Sequence, residues 1–222
     1  MKLYGVARSR ATRNIWLARE LGIDLERIAV VQAYRLEEKG IDPRGPDAPF
    51  NTLTPEFLMI SPAGAVPVLQ DGDLVISESL AINHYMAEKT GGDLAAQDAG
   101  ERALIEQWAL YGMTAIEPQA LDIMWVYAKG RAETEEGIAE LSRLRSALMR
   151  PMAVLNAHLA RKGQMLGDRF TVADIDMAEI IRYAAFDAPL MARFEAVATW
   201  LAACQDRPAF TAMMAERAAE PA

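Results

Sequence analysis

The chain has 222 residues, a formal net charge of −8 and a hydrophobic fraction of 52%. That length suits one large domain or two small ones with a substantial core, and the acidic balance argues against general nucleic-acid binding, which needs clustered Lys and Arg. A single cysteine, Cys204, excludes an intramolecular disulfide and favours a reducing compartment.

The residues before Arg8, Arg10 and Arg13 lack the apolar core of a signal peptide, and no apolar run reaches membrane-spanning length. A cytoplasmic protein is expected. Leu3–Val6 reads as a strand. Ile15, Trp16, Ala18 and Leu21 then recur at helical spacing and end at Gly22, a helix-stop signal. Ile28–Val31 is a second strand, so a parallel βαβ unit is predicted. Residues 33–55 carry four prolines and two glycines and read as a long loop with one helical turn near Leu36. A short helix follows from Pro55, with proline in its first turn.

Val68–Gln70 and Leu74–Ile76 flank Asp71-Gly72-Asp73, a hairpin signal. Ser79 to about Lys89 is a helix stopped by Gly91-Gly92. The order β-α-β, irregular segment, β-β-α is thioredoxin-like. Strand signals then vanish. Residues 91–97 read as a linker, and helices are predicted at 103–127 (bent at Pro118), 135–159 (interrupted at Pro151), 171–184 and 194–204. A short terminal helix follows from Ala209. The fold class is α+β: a thioredoxin-like domain over 1–90, then an all-α helical-bundle domain over 98–222.

The most informative stretch is Ala63-Gly64-Ala65-Val66-Pro67-Val68 followed by Glu78-Ser79. A proline within an apparent strand forfeits a ladder hydrogen bond. A cis peptide at a sheet edge would make it useful, turning the N–H and C=O of Val66 outward to pair with a peptide-like ligand. Glu78-Ser79 opens a helix, whose first turn is a ready carboxylate site. Together they suggest a pocket for a small peptide.

In that order, Gly-x-Val-Pro, the glycine-containing hairpin, Glu-Ser and the helical second half resemble the cytosolic glutathione S-transferase superfamily, specifically its bacterial, serine-type, theta/delta-like members. The resemblance covers essentially the whole chain. It implies glutathione as co-substrate, with Val66, Pro67, Glu78 and Ser79 binding it, a small hydrophobic electrophile as second substrate, a homodimer and no metal. Val66 matches the position whose backbone pairs with the cysteinyl unit. Pro67 matches the cis-proline, and Glu78 with Ser79 matches the pair that holds the γ-glutamyl end.

The segment Arg8 to Arg13 offers a hydroxyl, a helix start and cations, each able to lower a thiol pKa. Ser9 lies where serine-type members place their hydroxyl and is the first choice for catalysis; helix capping is its other reading. Arg10 is the runner-up. Thr12 is expected to face its own backbone, and Tyr4 to be core or pocket wall. Tyr111 and Met113 are the candidates for the electrophile site. Thr171 and Asp174 form a capping box with a structural role. His84 and His158 do not indicate a metal site, and Cys204 is expected to be buried and inert.

Two departures from the family stand out. Ala65 replaces a basic or amide side chain that would meet the glycyl carboxylate, and the insertion between Val31 and Pro55 is long. Arg35, Lys39 and Arg44 are candidates to replace the missing contact. The implied reaction is thiolate addition to an electrophile. Alternatives are glutathione-dependent isomerisation of the maleylacetoacetate isomerase kind, a peroxidase, or a non-catalytic interaction protein of this fold.

Overall fold

A computed structural model describes residues 1–220. The chain divides into two compact units, one formed by residues 1–90 with the last helix, the other by Gly91–Arg207. In the first unit, β1 (Lys2–Tyr4), α1 (Ala11–Leu21), β2 (Glu26–Ile28), α2 (Ala33–Glu38), α3 (Pro55–Ile60), β3 (Val68–Asp71), β4 (Leu74–Ser77) and α4 (Ser79–Thr90) follow in order. The sheet order is β2-β1-β3-β4. β1 pairs parallel to β2, Tyr4 opposite Ile28, and antiparallel to β3, Tyr4 opposite Val68. The thioredoxin-like order read from the sequence is present.

The first strands are shorter than predicted. β1 stops at Tyr4 because Gly5 has φ 145°, outside the range that ordinary strand residues adopt. Its N–H still reaches Ile28 O at 2.9 Å. β2 ends at Ile28, and Val31, expected in that strand, instead bridges Asn51. Residues 39–54 are tied by Asn51, which is buried and donates to Pro43 O and Pro49 O at 2.9 and 2.8 Å. Leu36 lies in α2, the helical turn expected there.

Pro67 does not lie at a sheet edge. β3 is flanked by β1 and β4, and the cis Val66–Pro67 bond precedes the first paired residue, Val68. The proline therefore costs the ladder nothing, because pairing begins one residue later. The hairpin loop is the expected one, with Gly72 at φ 61° in a two-residue connection.

The last helix, α11 (Pro208–Ala219), corrects the domain assignment. Sequence reading places it in the second domain, but it packs on α1, with Phe210 edge-on to Trp16 at 4.8 Å between ring centroids. Such a pair contributes roughly 0.5–1.5 kcal/mol beyond its buried area. Glu216 on the same helix pairs with Arg19 and Arg27.

The second unit holds α5 (Ala99–Tyr111), α6 (Glu117–Ala128), α7 (Glu135–Lys162), α8 (Val172–Ala184), α9 (Ala188–Met191) and α10 (Glu195–Gln205). The predicted helix over 103–127 is divided by a π-helical turn, Gly112–Ile116. Pro118 cannot donate to the carbonyl four residues back, and the wider turn lets Glu117 N reach Gly112 O instead. Pro151, by contrast, does not interrupt α7. The carbonyl it leaves without a donor belongs to Ala147, an exposed residue where water is available, while Leu141, Leu144, Leu148, Met152 and Leu155 keep one apolar stripe buried. Among the described residues, no helix is long and apolar enough to cross a membrane.

The capping box before α8 is present, and its carboxylate does more than cap. Asp174 Oδ2 accepts from Thr171 N and Oγ1 at 2.9 and 3.1 Å; Oδ1 accepts from Met165 N and Trp200 Nε1 at 2.9 and 3.0 Å. Burial pushes the Asp174 carboxyl above its ordinary pKa, and these donors pull it back. Asp174→Ala removes the acceptor of four buried donors, of which Trp200 Nε1 has a second partner, Gln164 Oε1 at 3.2 Å, and each donor left unsatisfied costs about 1–3 kcal/mol. Urea unfolding of that variant is expected to show a loss of at least about 3 kcal/mol.

Candidate functional site

The turn between β1 and α1 is built around Gly5. A Cβ there would lie 3.3 Å from Ala11 Cβ, 3.5 Å from Val66 Cβ and 3.7 Å from Ser9 Oγ. The missing side chain thus lets Ser9 and Val66 approach each other across the glycine. Ser9 is buried; its hydroxyl donates to Val6 O at 2.7 Å and accepts from Ala11 N at 3.1 Å. Ser9 thus binds the first amide of α1 from the residue before the cap position, which Arg10 occupies, and its oxygen borders the same glycine as Val66.

Thr12 donates to Ser9 O at 3.2 Å, facing its own backbone as expected. Tyr4 is a core residue whose hydroxyl donates to Gln70 Oε1 at 2.9 Å. Arg10 is exposed at the cap position of α1.

Val66 precedes β3, and among the described residues neither its N–H nor its C=O has a backbone hydrogen bond. Such a segment can accept a short extended peptide. Glu78 has φ 70°, a left-handed conformation uncommon for a residue with a side chain. Its C=O receives the first helical hydrogen bond, from Ile82 N, so this twist launches α4 directly from β4.

Ser79, the first residue of α4, is buried and accepts from Arg13 Nη1 at 3.1 Å. Because the guanidinium only donates, that bond leaves the Ser79 proton to serve another acceptor. Asn14 Nδ2 donates to Ser79 O at 2.8 Å and to Asn83 Oδ1 at 2.7 Å. Arg13 and Asn14 are both fully buried on α1. The sequence reading treats Arg13 only as one cation among several and passes over Asn14. The available signal was two polar residues between the apolar pattern of α1 and its start.

Arg35, a candidate for the glycyl carboxylate, is engaged elsewhere: its Nη2 donates to Arg8 O at 2.5 Å. Lys39 and Arg44 are exposed. In the second unit, Tyr111 and Met113 are half-buried and flank the start of the π turn. The Tyr111 ring meets Trp108 edge-on, and its hydroxyl donates to Pro151 O at 3.3 Å. Burial pushes the Tyr111 phenol up, partly offset by Arg150. Two shallow depressions on this unit are lined mainly by α7, α9 and α10, and neither includes Tyr111 or Met113. His158 packs on Trp108 with the rings tilted by 54° and its Nε2 2.9 Å from Met165 O, and Cys204 is buried.

The glutathione S-transferase N-terminal domain profile matches residues 8–89, and the C-terminal domain profile matches residues 138–203. Glutathione S-transferase 3 of Zea mays is 31% identical over 199 residues, covering 85% of this chain and 89% of that protein. The chain therefore belongs to the glutathione S-transferase family. A solved transferase family member from Pseudomonas fluorescens, with two glutathione molecules bound, superposes with a TM-score of 0.75 at 26% identity, over 96% of this chain and 91% of that one. Elongation factor 1-gamma 2 of Oryza sativa is 34% identical over 125 residues, covering 56% of this chain and 29% of that protein.

Gly5→Ala would impose a side chain on φ 145° and crowd Ala11. Urea unfolding of that variant is expected to show a loss of about 1–3 kcal/mol, the usual cost of such backbone strain. An unchanged midpoint would show that the turn relaxes freely.

Proposed function

We propose that the protein conjugates the thiolate of glutathione to a small hydrophobic electrophile. The reading is carried by the backbone of Val66, without a backbone partner, lying across Gly5 from Ser9 in the unit that also holds Ser79. Val66 N–H and C=O pair with the cysteinyl unit as an added strand would. The Ser79 proton and the first-turn amides of α4 take the γ-glutamyl carboxylate, with the buried Arg13 charge behind them. Glu78 offers negative charge to the ammonium.

Ser9 presents the hydroxyl. Rotation about its Cβ–Oγ bond exchanges Val6 O for the sulfur while the Ala11 N–H bond is kept. A charge-assisted hydrogen bond is roughly twice as strong as a neutral one, so the exchange favours the thiolate. The thiol proton passes to water, the sulfur lone pair forms the new S–C bond, and the leaving group departs with the old bonding pair. Arg10 is the second candidate for lowering the thiol pKa. Tyr111 and Met113 are proposed to contact the electrophile.

The curated transferase relative is a plant enzyme, so a serine-type site is proposed without a bacterial theta- or delta-like assignment. A homodimer in the cytoplasm fits family membership. The elongation-factor relative favours one alternative, an interaction module that has kept the fold. Glutathione binding separates the two.

Calorimetry is expected to detect binding at millimolar glutathione or below, and Ser79→Ala to weaken it about tenfold, equivalent to about 1.4 kcal/mol. No heat of binding from the wild-type protein would sink the proposal. Ser9→Ala is expected to slow turnover of a model aryl halide by roughly a hundredfold, within the range for a positioned proton donor. Losing a donor to the thiolate raises the thiol pKa, so the midpoint of the pH–rate profile should move up. An unchanged profile would shift the role to Arg10.

A further inference from the structure

The peptide groups just before Ser9 are held by side chains from distant parts of the same unit. Ala7 and Arg8 belong to no helix or strand, and their four backbone polar groups are all taken. The two oxygens of Glu220 accept from Ala7 N at 2.8 Å and from Arg8 N at 2.7 Å. Arg217 Nη1 donates to Ala7 O at 2.7 Å, and Arg35 Nη2 donates to Arg8 O at 2.5 Å. Arg8 Nε donates in turn to Arg217 O at 3.3 Å.

We propose that Glu220 is a positioning residue, whose carboxylate fixes the Ala7–Arg8 peptide and thereby the place of the Ser9 hydroxyl. The physical reason is the geometry of the turn. Its own backbone closes it with the Ser9 N to Val6 O bond at 3.1 Å, which leaves the N–H and C=O groups of residues 7 and 8 without partners inside the turn. A carboxylate is acceptor-only and binds two amide donors at once, so a single side chain immobilises two consecutive peptide units. Arg217 and Arg35 hold the opposite, carbonyl side. Displacing that peptide carries Ser9 with it, and a misplacement of about 1 Å at a reacting group can cost on the order of a hundredfold in rate.

The inference rests on the role proposed for Ser9, but the clamp itself is measurable without turnover. Amide hydrogen exchange of the full-length protein reads it directly. Glu220→Ala is expected to accelerate exchange at Ala7 and Arg8 by about tenfold or more, the change produced by about 1.4 kcal/mol of lost protection, and to leave Leu3 and Leu69 in the sheet unchanged.

In turnover of the model aryl halide, Glu220→Ala should lower kcat roughly ten- to a hundredfold with KM for glutathione within about twofold, because Val66 and Ser79 are untouched. Glu220→Asp, which keeps the charge, should recover part of kcat. Glu216→Ala, which loosens the same helix from Arg19 and Arg27 without touching the turn, should reproduce neither effect. The proposal is overturned if Ala7 and Arg8 exchange as in the wild type, if kcat is unchanged, or if Glu216→Ala gives the same result. Altered exchange in a protein that turns over no aryl halide even as wild type would uphold the clamp and overturn the transferase reading with the positioning role that depends on it.

Discussion

The candidate site depends on a polar contact sealed between α1 and α4. Arg13 and Asn14 leave solvent completely to reach the hydroxyl and carbonyl of Ser79. Burying a guanidinium is costly unless it is hydrogen-bonded, and a packed apolar pair would do as well for stability alone. An apolar pair would leave the serine proton unoriented. With Arg13 donating to Ser79 Oγ, the hydroxyl proton is left free to serve an acceptor at the first turn of α4.

Around this contact the first unit places three unusual backbone features close together. Gly5 with φ 145°, the cis Val66–Pro67 bond and Glu78 with φ 70° each lie where a strand starts or stops. Each marks a limit of regular pairing: Gly5 leads into the turn that carries Ser9, Val66 keeps a backbone without a backbone partner, and Glu78 starts α4. The second unit is built differently. Its buried polar groups are structural, as at Asp174, where one carboxylate joins the start of α8 to Met165 and Trp200.

Local chemistry made several features legible. Asp71-Gly72-Asp73 demands a two-residue turn whatever surrounds it, Gly91-Gly92 stops α4, and Thr171 with Asp174 caps α8. Proline was less readable, because its effect depends on the carbonyl it leaves without a donor. At Pro118 the helix widens into a π turn. At Pro151 the freed carbonyl lies on an exposed face and α7 continues. The place of the last helix was likewise hidden, since nothing in residues 208–219 says that Phe210 meets Trp16 or that Glu216 meets Arg19 and Arg27.

By itself the sequence determined the order of elements, the hairpin, the capping box and the identity of the residues around Val66-Pro67 and Glu78-Ser79. These follow from local backbone preference and short spacing, which act over a few residues. Only the tertiary structure decided that Pro67 lies beside an interior strand, that Arg13 stands behind Ser79, and that Glu220 holds the turn leading to Ser9. Each of those contacts closes a chain segment of more than sixty residues, and a hydrogen bond across such a distance has no local signature. It exists because a buried or unpaired polar group must find a partner, and the fold determines which one is within reach.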